Sequence, residues 1–292
     1  MIRLSNGHEF EYMVASGALA FDGKGWLHEQ PLRWLGLLDP SLFTVVIKTL
    51  TRYPRKGNYL WYCPWRCIRL IPKGVVNAVG LTNPGIDWWC REIGPKINRK
   101  KINLVGSIFS EDNDISELLE MARLLNRLNL VALEINVSCP NTRSGLSKNV
   151  QSIVWACKSV RIESRFPLIL KLSVVHDISS ILPEIKGIVE AISINSVPWK
   201  VIFRDKEGPL QHLGGGGVSG KIAQPITWKF VKRIINETDI PVIGPSVWNF
   251  DDIQKLRDLG AKAISFGSIF LRYPWRSTQF VREDMKRNRI QE

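Results

Sequence analysis

Residues 134–142 read Glu-Ile-Asn-Val-Ser-Cys-Pro-Asn-Thr, and this stretch says most about the fold. Its first half alternates in the manner of a buried strand, and the strand breaks at the proline. Asn136 and Asn141 flank the break, and carboxamides there suit the binding of a flat heterocycle because each donates and accepts hydrogen bonds. The Cys139 thiol between them is suited to proton transfer. The alternative is a plain strand with a Pro-Asn turn and a structural cysteine.

The rest of the chain repeats this pattern of a short apolar segment followed by a stretch long enough for a helix. Periodicity predicts helices at 115–128, 226–235 and 251–259. Strands alternating with helices in 292 residues predict an α/β fold, a (β/α)8 TIM barrel formed by residues 1–292 as one domain. A doubly wound sheet would need a Gly-x-Gly-x-x-Gly turn after the first strand, and that turn is missing. The predicted strands are 11–16, 43–49, 102–109, 131–138, 168–174, 191–195, 241–244 and 263–267.

Two insertions interrupt the alternation. Residues 50–100 combine Pro, Trp and Cys in irregular order, which predicts a small hairpin over the mouth of the barrel. Residues 197–218 follow the sixth strand and end in consecutive glycines. We expect this second insertion to be a mobile lid or a phosphate-binding loop.

Composition narrows the class of protein. The formal net charge is +13, which would attract anionic partners, but the charges are spread along the chain as on a solvated basic surface. No segment approaches the ~20 apolar residues that cross a bilayer, and the first ten residues lack the apolar core of a signal peptide. A cytoplasmic protein is therefore expected. Five irregularly spaced cysteines and four histidines predict neither a disulfide framework nor a metal site.

Polar groups and glycines collect at the ends of the predicted strands, which share the face of a barrel that holds the active site. Lys48 and Lys171 lie in apolar segments, where a buried ammonium requires an anion or another acceptor. Glycines after strands six, seven and eight suit backbone cradling of a phosphate. The strand-end candidates are Ser16, Gly17, Lys48, Asn136, Cys139, Lys171, Asn195, Ser196, Gly216, Gly217, Gly220, Gly244, Gly267 and Ser268.

Together these motifs resemble the dihydroorotate dehydrogenase family, FMN-containing (β/α)8 enzymes of pyrimidine synthesis. The resemblance extends over roughly residues 14–270, and cysteine at position 139 resembles the soluble branch of the family. The motifs that carry it are Ala15-Ser16-Gly17, Ile47-Lys48-Thr49, the nine residues from Asn77 to Gly85, Asn136-Val137-Ser138-Cys139-Pro140-Asn141, Leu170-Lys171-Leu172, Asn195-Ser196 and Gly216-Gly217-Val218-Ser219-Gly220.

The resemblance implies a role for each matching residue. Cys139 would remove the proton from C5 of dihydroorotate as hydride leaves C6 for flavin N5. Lys48 would lie near both flavin and substrate, and Lys171 would stabilise charge on the reduced ring. The implied substrate-binding residues are Asn77, Asn136, Asn141, Asn195 and Ser196. The implied FMN-binding residues are Ser16, Gly17, Lys48, Asn136, Lys171, Gly216, Gly217, Gly220, Gly244, Gly267 and Ser268.

The resemblance also implies a homodimer, and neither a membrane nor a nucleic acid. It leaves two electron acceptors open, fumarate or a separate iron–sulfur flavoprotein subunit, and residues 77–85 look more like the forms that use the subunit. One departure keeps alternatives open. Residues 244–248, Gly-Pro-Ser-Val-Trp, replace a Gly-x-Gly-Gly turn that receives the FMN phosphate, and valine disfavours positive φ. A flavin-poor, non-catalytic relative is one alternative. An FMN-dependent tRNA dihydrouridine synthase, which the basic charge would suit, is the other.

Overall fold

A computed structural model of the protein describes residues 1–110, 115–138 and 149–291. Within those ranges eight parallel strands form a closed barrel, which confirms the (β/α)8 prediction. Every barrel strand lies inside the segment predicted for it. The barrel strands are β3 (Tyr12–Val14), β4 (Thr44–Val46), β7 (Asn103–Ile108), β8 (Ala132–Asn136), β9 (Leu168–Leu172), β10 (Ala191–Ile194), β13 (Ile243–Gly244) and β14 (Ala263–Phe266).

Strand order follows the chain around the barrel. Each strand pairs in parallel with the next, from β3 through β10, and β13 and β14 return to β3. The ring closes where Ile192 in β10 bridges Val242, just before β13. Because all strands run in one direction, their C-terminal ends meet at one face.

The helices lie outside the barrel, and the longer ones bury one face against it. In the third helix the buried residues include Ile115, Leu118 and Leu125, at the spacing of one helical face. The helix predicted after Pro225 begins at Gln224, with the proline in its first turn, where a missing N–H costs nothing. The helices are α1 (Gln30–Trp34), α2 (Ile86–Glu92), α3 (Ile115–Leu125), α4 (Val150–Glu163), α5 (Ile178–Ile185), α6 (Trp199–Ile202), α7 (Gln224–Glu237), α8 (Asp252–Asp258), α9 (Ile269–Arg272) and α10 (Arg276–Gln291).

The interior of the barrel is apolar at its N-terminal end. One buried cluster joins Ile169 to residues from the other strands, such as Val105. It also includes Ile2 and Phe10, from an antiparallel hairpin of β1 (Ile2–Arg3) and β2 (Glu9–Phe10). This hairpin packs on the base of the barrel, and the sequence did not reveal it.

The two insertions form one sheet. It runs in the order β11 (Val197–Pro198), β12 (Gly217–Gly220), β6 (Gly74–Asn77), β5 (Ile68–Ile71), and all its pairs are antiparallel. The hairpin predicted in residues 50–100 is confirmed as β5–β6. The loop predicted over residues 197–218 is wrong at its two ends, because Val197–Pro198 and Gly217–Gly220 are strands of this sheet, whereas residues 214–216 lie outside the strands. The glycines permit a close approach, since a Cβ at Gly216 would lie 2.5 Å from the Asn77 carbonyl oxygen.

No helix of the described ranges is long and apolar enough to cross a membrane.

Candidate active site

A cavity of about 390 Å³ lies between the C-terminal ends of the barrel strands and the sheet formed by the insertions. It brings together most of the residues predicted from the sequence, and its size is that of a pocket for a small organic ligand or cofactor. The predicted residues that line it are Ser16, Gly17, Lys48, Asn77, Asn136, Lys171, Asn195, Ser196, Gly217, Gly267 and Ser268. Cys139 and Asn141 lie outside the described residues.

Hydroxyl groups fix the carboxamide of Asn136. The Thr49 Oγ1 accepts a hydrogen bond from Asn136 Nδ2 at 3.0 Å and lies 2.8 Å from Ser16 Oγ and 2.9 Å from Ser107 Oγ. The Asn136 Oδ1 accepts from the backbone N–H of Ser138 at 3.1 Å. Thr49 therefore joins three barrel strands at the cavity wall, a role that the sequence did not reveal.

The other predicted substrate-binding residues approach from two sides. Asn195 follows β10 and donates from Nδ2 to the Ser138 carbonyl at 3.1 Å, which joins strand ends six and four. Asn77 is the last residue of β6 and pairs with Gly217 of β12. The cavity thus has carboxamides on the barrel side and on the sheet side, as binding of a ring with several N–H and C=O groups requires.

Lys171 is buried, with 5 % of its surface exposed, and its ammonium lies 3.6 Å from Glu134 Oε1. That separation is longer than a normal hydrogen bond, and among the described residues no acceptor takes a hydrogen bond from this ammonium. Glu134 is fully buried. Its Oε1 accepts from Ser107 Oγ at 2.9 Å and its Oε2 from Ser193 Oγ at 3.0 Å. The sequence predicted Lys171 and missed Glu134.

The loop after β13 is held in place from outside the barrel. Gln224 Nε2 donates to the Ser246 carbonyl at 2.9 Å, and Trp228 Nε1 donates to the Pro245 carbonyl at 3.1 Å. The buried Asp252 carboxylate accepts from the Trp248 backbone N–H at 2.9 Å. Ser246 has a positive φ, of 70°, and Val247 does not. The conformation that valine disfavours is therefore adopted by the serine beside it.

Four backbone N–H groups remain at this end of the cavity. Ser246, Val247, Gly267 and Ser268 all line it, and in the described part of the chain none of their N–H groups donates to another backbone group. Such a set, drawn from the turns after strands seven and eight, suits an anion.

Three of the glycines predicted to bind FMN do not line the cavity. They are Gly216, Gly220 and Gly244. A Cβ at Gly220 would meet Trp248 at 2.8 Å, and one at Gly244 would meet Leu256 at 2.9 Å, so close packing accounts for these positions. Their assignment to FMN binding stays a prediction.

Comparison with known proteins gives the site a family. The family model described as dihydroorotate dehydrogenase matches residues 13–280. The chain belongs to the dihydroorotate dehydrogenase family. As a member it is an oxidoreductase acting on CH–CH groups.

Named relatives agree with this family. The chain is 33% identical over 273 residues, 90% of this chain and 83% of the relative, to the catalytic subunit of dihydroorotate dehydrogenase B (NAD(+)) of Desulforudis audaxviator. It is 32% identical over 266 residues, 88% and 82% of the two chains, to dihydroorotate dehydrogenase A (fumarate) of Lactobacillus delbrueckii subsp. bulgaricus. A ligand-free DHODH structure from Eimeria tenella superposes with a TM-score of 0.66 at 18% identity, over 96% of this chain and 84% of that one, and shows the shared fold.

An aromatic rim surrounds part of the cavity. Trp26, His28, Tyr59 and Trp61 all line it. Trp26 Nε1 donates to the Gly17 carbonyl at 3.2 Å, and its ring centroid lies 5.9 Å from that of Tyr59. Burial raises the pKa of Tyr59, with nearby Cys67 as a smaller cause. Sequence reasoning noted the irregular Pro, Trp and Cys of residues 50–100 but assigned none of the tryptophans to the site.

The described cysteines away from the cavity are unsuited to act as bases. Burial raises the pKa of Cys90 to about 11 and that of Cys157 to about 12, so both stay thiols at neutral pH. Burial also raises the pKa of Cys67. Residues 1–110, 115–138 and 149–291 contain no cluster of three or more His, Cys, Asp or Glu side chains that could hold a metal ion.

Proposed function

We propose that this protein is an FMN-dependent dihydroorotate dehydrogenase, which oxidises dihydroorotate to orotate in the synthesis of UMP. One observation carries the proposal. A single cavity combines carboxamides for a pyrimidine, two lysines for negative charge and backbone N–H groups for a phosphate. The family match over residues 13–280 favours this function over a tRNA dihydrouridine synthase.

The residues present fit FMN. The buried Lys171 ammonium lacks a hydrogen-bond acceptor among the described residues, and an anionic or polar ring edge would supply one. The backbone groups of Ser246, Val247, Gly267 and Ser268 would receive the phosphate, with help from the hydroxyls of Ser246 and Ser268. Bound FMN supplies the two-electron acceptor that amino-acid side chains lack.

The side chains divide the remaining work. Asn77, Asn136 and Asn195, with Asn141 from the resemblance, would hold the N–H and C=O groups of dihydroorotate and fix its C6 towards the cofactor. Cys139 would take the proton from C5. Lys48 lines the same cavity and would offset negative charge on the substrate carboxylate. The rim of Trp26, Tyr59 and Trp61 would exclude water.

The absorbance spectrum of the purified protein, before and after anaerobic addition of dihydroorotate, tests this function. We expect flavin bands that bleach on addition of substrate. Bands that persist would contradict dihydroorotate as the substrate. A protein that stays colourless after reconstitution with FMN would support the flavin-poor, non-catalytic relative instead.

Cys139→Ala tests the assignment of the base. We expect flavin content to stay unchanged and turnover to fall by about 10²–10⁴-fold, the usual contribution of a positioned base. Cys90→Ala is the matched control, since Cys90 does not line the cavity, and it should retain full turnover. Undiminished turnover of Cys139→Ala would exclude Cys139 as the base.

For partners we propose a second copy of this chain and an iron–sulfur flavoprotein subunit. The second proposal is supported by the Desulforudis audaxviator relative, which is named as a catalytic subunit. We further propose a cytoplasmic location. Light scattering of the purified chain measures the first assembly, and reduction of NAD(+) by dihydroorotate with and without the added subunit measures the second.

A further inference from the structure

Glu134 lies in the barrel behind Lys171 and takes no part in the cavity wall. It is fully buried, while Lys171 lines the cavity. Two serines donate to its two oxygens, Ser107 from β7 at 2.9 Å and Ser193 from β10 at 3.0 Å. Its hydrogen bonds are thus made within the protein, and among the described residues the Lys171 ammonium, at 3.6 Å, is its ion-pair partner.

Stability alone does not account for this ion pair. Removing two opposite charges from water costs several kcal/mol for each ion, and well-packed apolar residues commonly replace a buried pair without loss of stability. Two residues before Lys171, on the same inward face of β9, Ile169 belongs to an apolar cluster. The pair therefore begins where the apolar filling of the barrel ends and the cavity starts.

The pair forms a dipole whose positive end faces the cavity. The ammonium is at the cavity wall and the carboxylate is behind it. Because their separation exceeds a normal hydrogen bond, the ammonium keeps its donors for an acceptor in the cavity. The carboxylate also offsets part of the desolvation cost of the ammonium.

We propose that Glu134 is a positioning residue that holds the Lys171 ammonium at the cavity wall, offsets part of its charge, and so sets how strongly Lys171 stabilises negative charge on the bound cofactor. This inference rests on the proposed function, because FMN is the cofactor concerned. Glu134 acts only through Lys171 and touches neither substrate nor cofactor.

A double-mutant cycle on the midpoint potential of bound FMN tests the inference. Glu134→Gln keeps the shape and removes the negative charge, so the unbalanced ammonium should favour reduced flavin. We expect the ratio of reduced to oxidised flavin, measured at a fixed solution potential, to rise about tenfold. For a two-electron couple this is an upward shift of the midpoint potential by about 30 mV. In a Lys171→Met background a buried carboxylate without a cation takes up a proton, and the same substitution should change that ratio less than about threefold.

The cycle separates the possible outcomes. Equal shifts with Lys171 and with Met at position 171 would mean that the Glu134 charge acts on the flavin directly. No shift in the protein that keeps Lys171 would mean that Glu134 does not influence the flavin. Either result overturns the inference. Ser173→Ala is the matched control, since this buried hydroxyl on the chain just after β9 has no hydrogen-bond partner among the described residues, and it should leave the potential unchanged. If Glu134→Gln does not fold, Glu134→Asp, which retracts the carboxylate, should show part of the upward shift, and its absence is equally decisive.

The same measurements separate this inference from the proposed function. A wild-type protein that binds no FMN, or whose flavin dihydroorotate fails to bleach, overturns the function and the inference with it. A wild-type protein that bleaches normally, with a potential that Glu134→Gln leaves unchanged, overturns the inference alone.

Discussion

The two ends of the barrel interior are built from the same strands and have opposite chemistry. At the N-terminal end the inward side chains are apolar, and the β1–β2 hairpin packs against them through Ile2 and Phe10. At the C-terminal end the inward side chains are polar and hydrogen-bonded across strands, as Glu134 is to Ser107 and Ser193. One step of two residues, from Ile169 to Lys171, separates the two ends along β9.

This difference shows how one fold can keep stability and chemistry apart. Successive inward positions of a strand are two residues apart, so each strand contributes both to the apolar base and to the polar wall. The apolar base needs no ligand to be stable. The polar wall contains a charge pair whose ammonium has no hydrogen-bond acceptor in the described part of the chain, and an apolar filling would avoid both features. We expect substitutions at the base to change stability and those at the wall to change cofactor chemistry.

Of the effects that test this comparison, the largest is expected at the apolar base. Ile169→Ala should lower the free energy of unfolding by about 3 kcal/mol, because it removes buried apolar atoms and leaves a cavity among neighbours that relax only in part. Turnover per folded molecule should stay within about twofold of wild type. Urea unfolding with parallel activity measurements checks both. A loss of turnover comparable to that of a wall variant, at full folding, would show that the two ends are not separable.

Much of the site could be predicted because its information is local. The strands were visible as short apolar segments, and parallel strands of a barrel end on one face, so Lys48, Asn136, Lys171 and Asn195 were brought together without any knowledge of contacts. The motif around Asn77 lies far from them in sequence, and only the resemblance linked it to the site. The cavity contains it because β6 pairs with β12.

What could not be predicted depends on contacts between distant segments. The run of glycines at 214–217 suggested a loop, but Gly217 begins a strand that needs a partner strand more than a hundred residues earlier. In the sequence Glu134 is one polar residue in an alternating strand. Its role depends on contacts with Lys171, Ser107 and Ser193, which only the fold brings next to it. The positive φ of Ser246 likewise depends on the side chains of α7 that hold its loop.

A second, smaller effect is expected at Glu29, which sharpens the comparison because it is a buried carboxylate with no ion-pair partner within residues 1–110, 115–138 and 149–291. Its Oε2 accepts the Trp26 backbone N–H at 2.8 Å, and burial raises its pKa from 4.5 to about 7. Between these values the unfolded chain ionises while the folded carboxyl keeps its proton. The folded state then binds more protons, so the free energy of unfolding falls as pH rises from about 4.5 to 7.

Glu29→Gln should remove this loss. We expect the variant to be about 2 kcal/mol more stable than wild type at pH 8, with a flatter stability profile between pH 4.5 and 7, and nearly equal stability at pH 4. Thermal unfolding across that range measures the difference. Glu207→Gln, at an exposed glutamate, is the control and should follow wild type. A Glu29→Gln variant that is less stable than wild type at pH 8 would contradict the assignment of cost to the buried charge.

The smallest effect is expected at two glycines at the C-terminal ends of neighbouring strands, Gly244 in β13 and Gly267 directly after β14, whose Cβ positions would face opposite ways. A Cβ at Gly244 would lie 2.9 Å from Leu256 and 3.1 Å from Ala261, on the side of the outer helix. Gly267 lines the cavity, and the nearest atom to a Cβ there would be Ala15 Cβ, at 3.4 Å. Gly244→Ala should therefore cost about 1 kcal/mol of stability through overpacking and leave FMN affinity unchanged. Gly267→Ala should leave stability unchanged and weaken FMN binding about tenfold. Urea unfolding and FMN titration of both apoproteins measure the stability and the FMN affinity of the two variants. Weaker FMN binding by Gly244→Ala would mean that Gly244 does belong to the phosphate site.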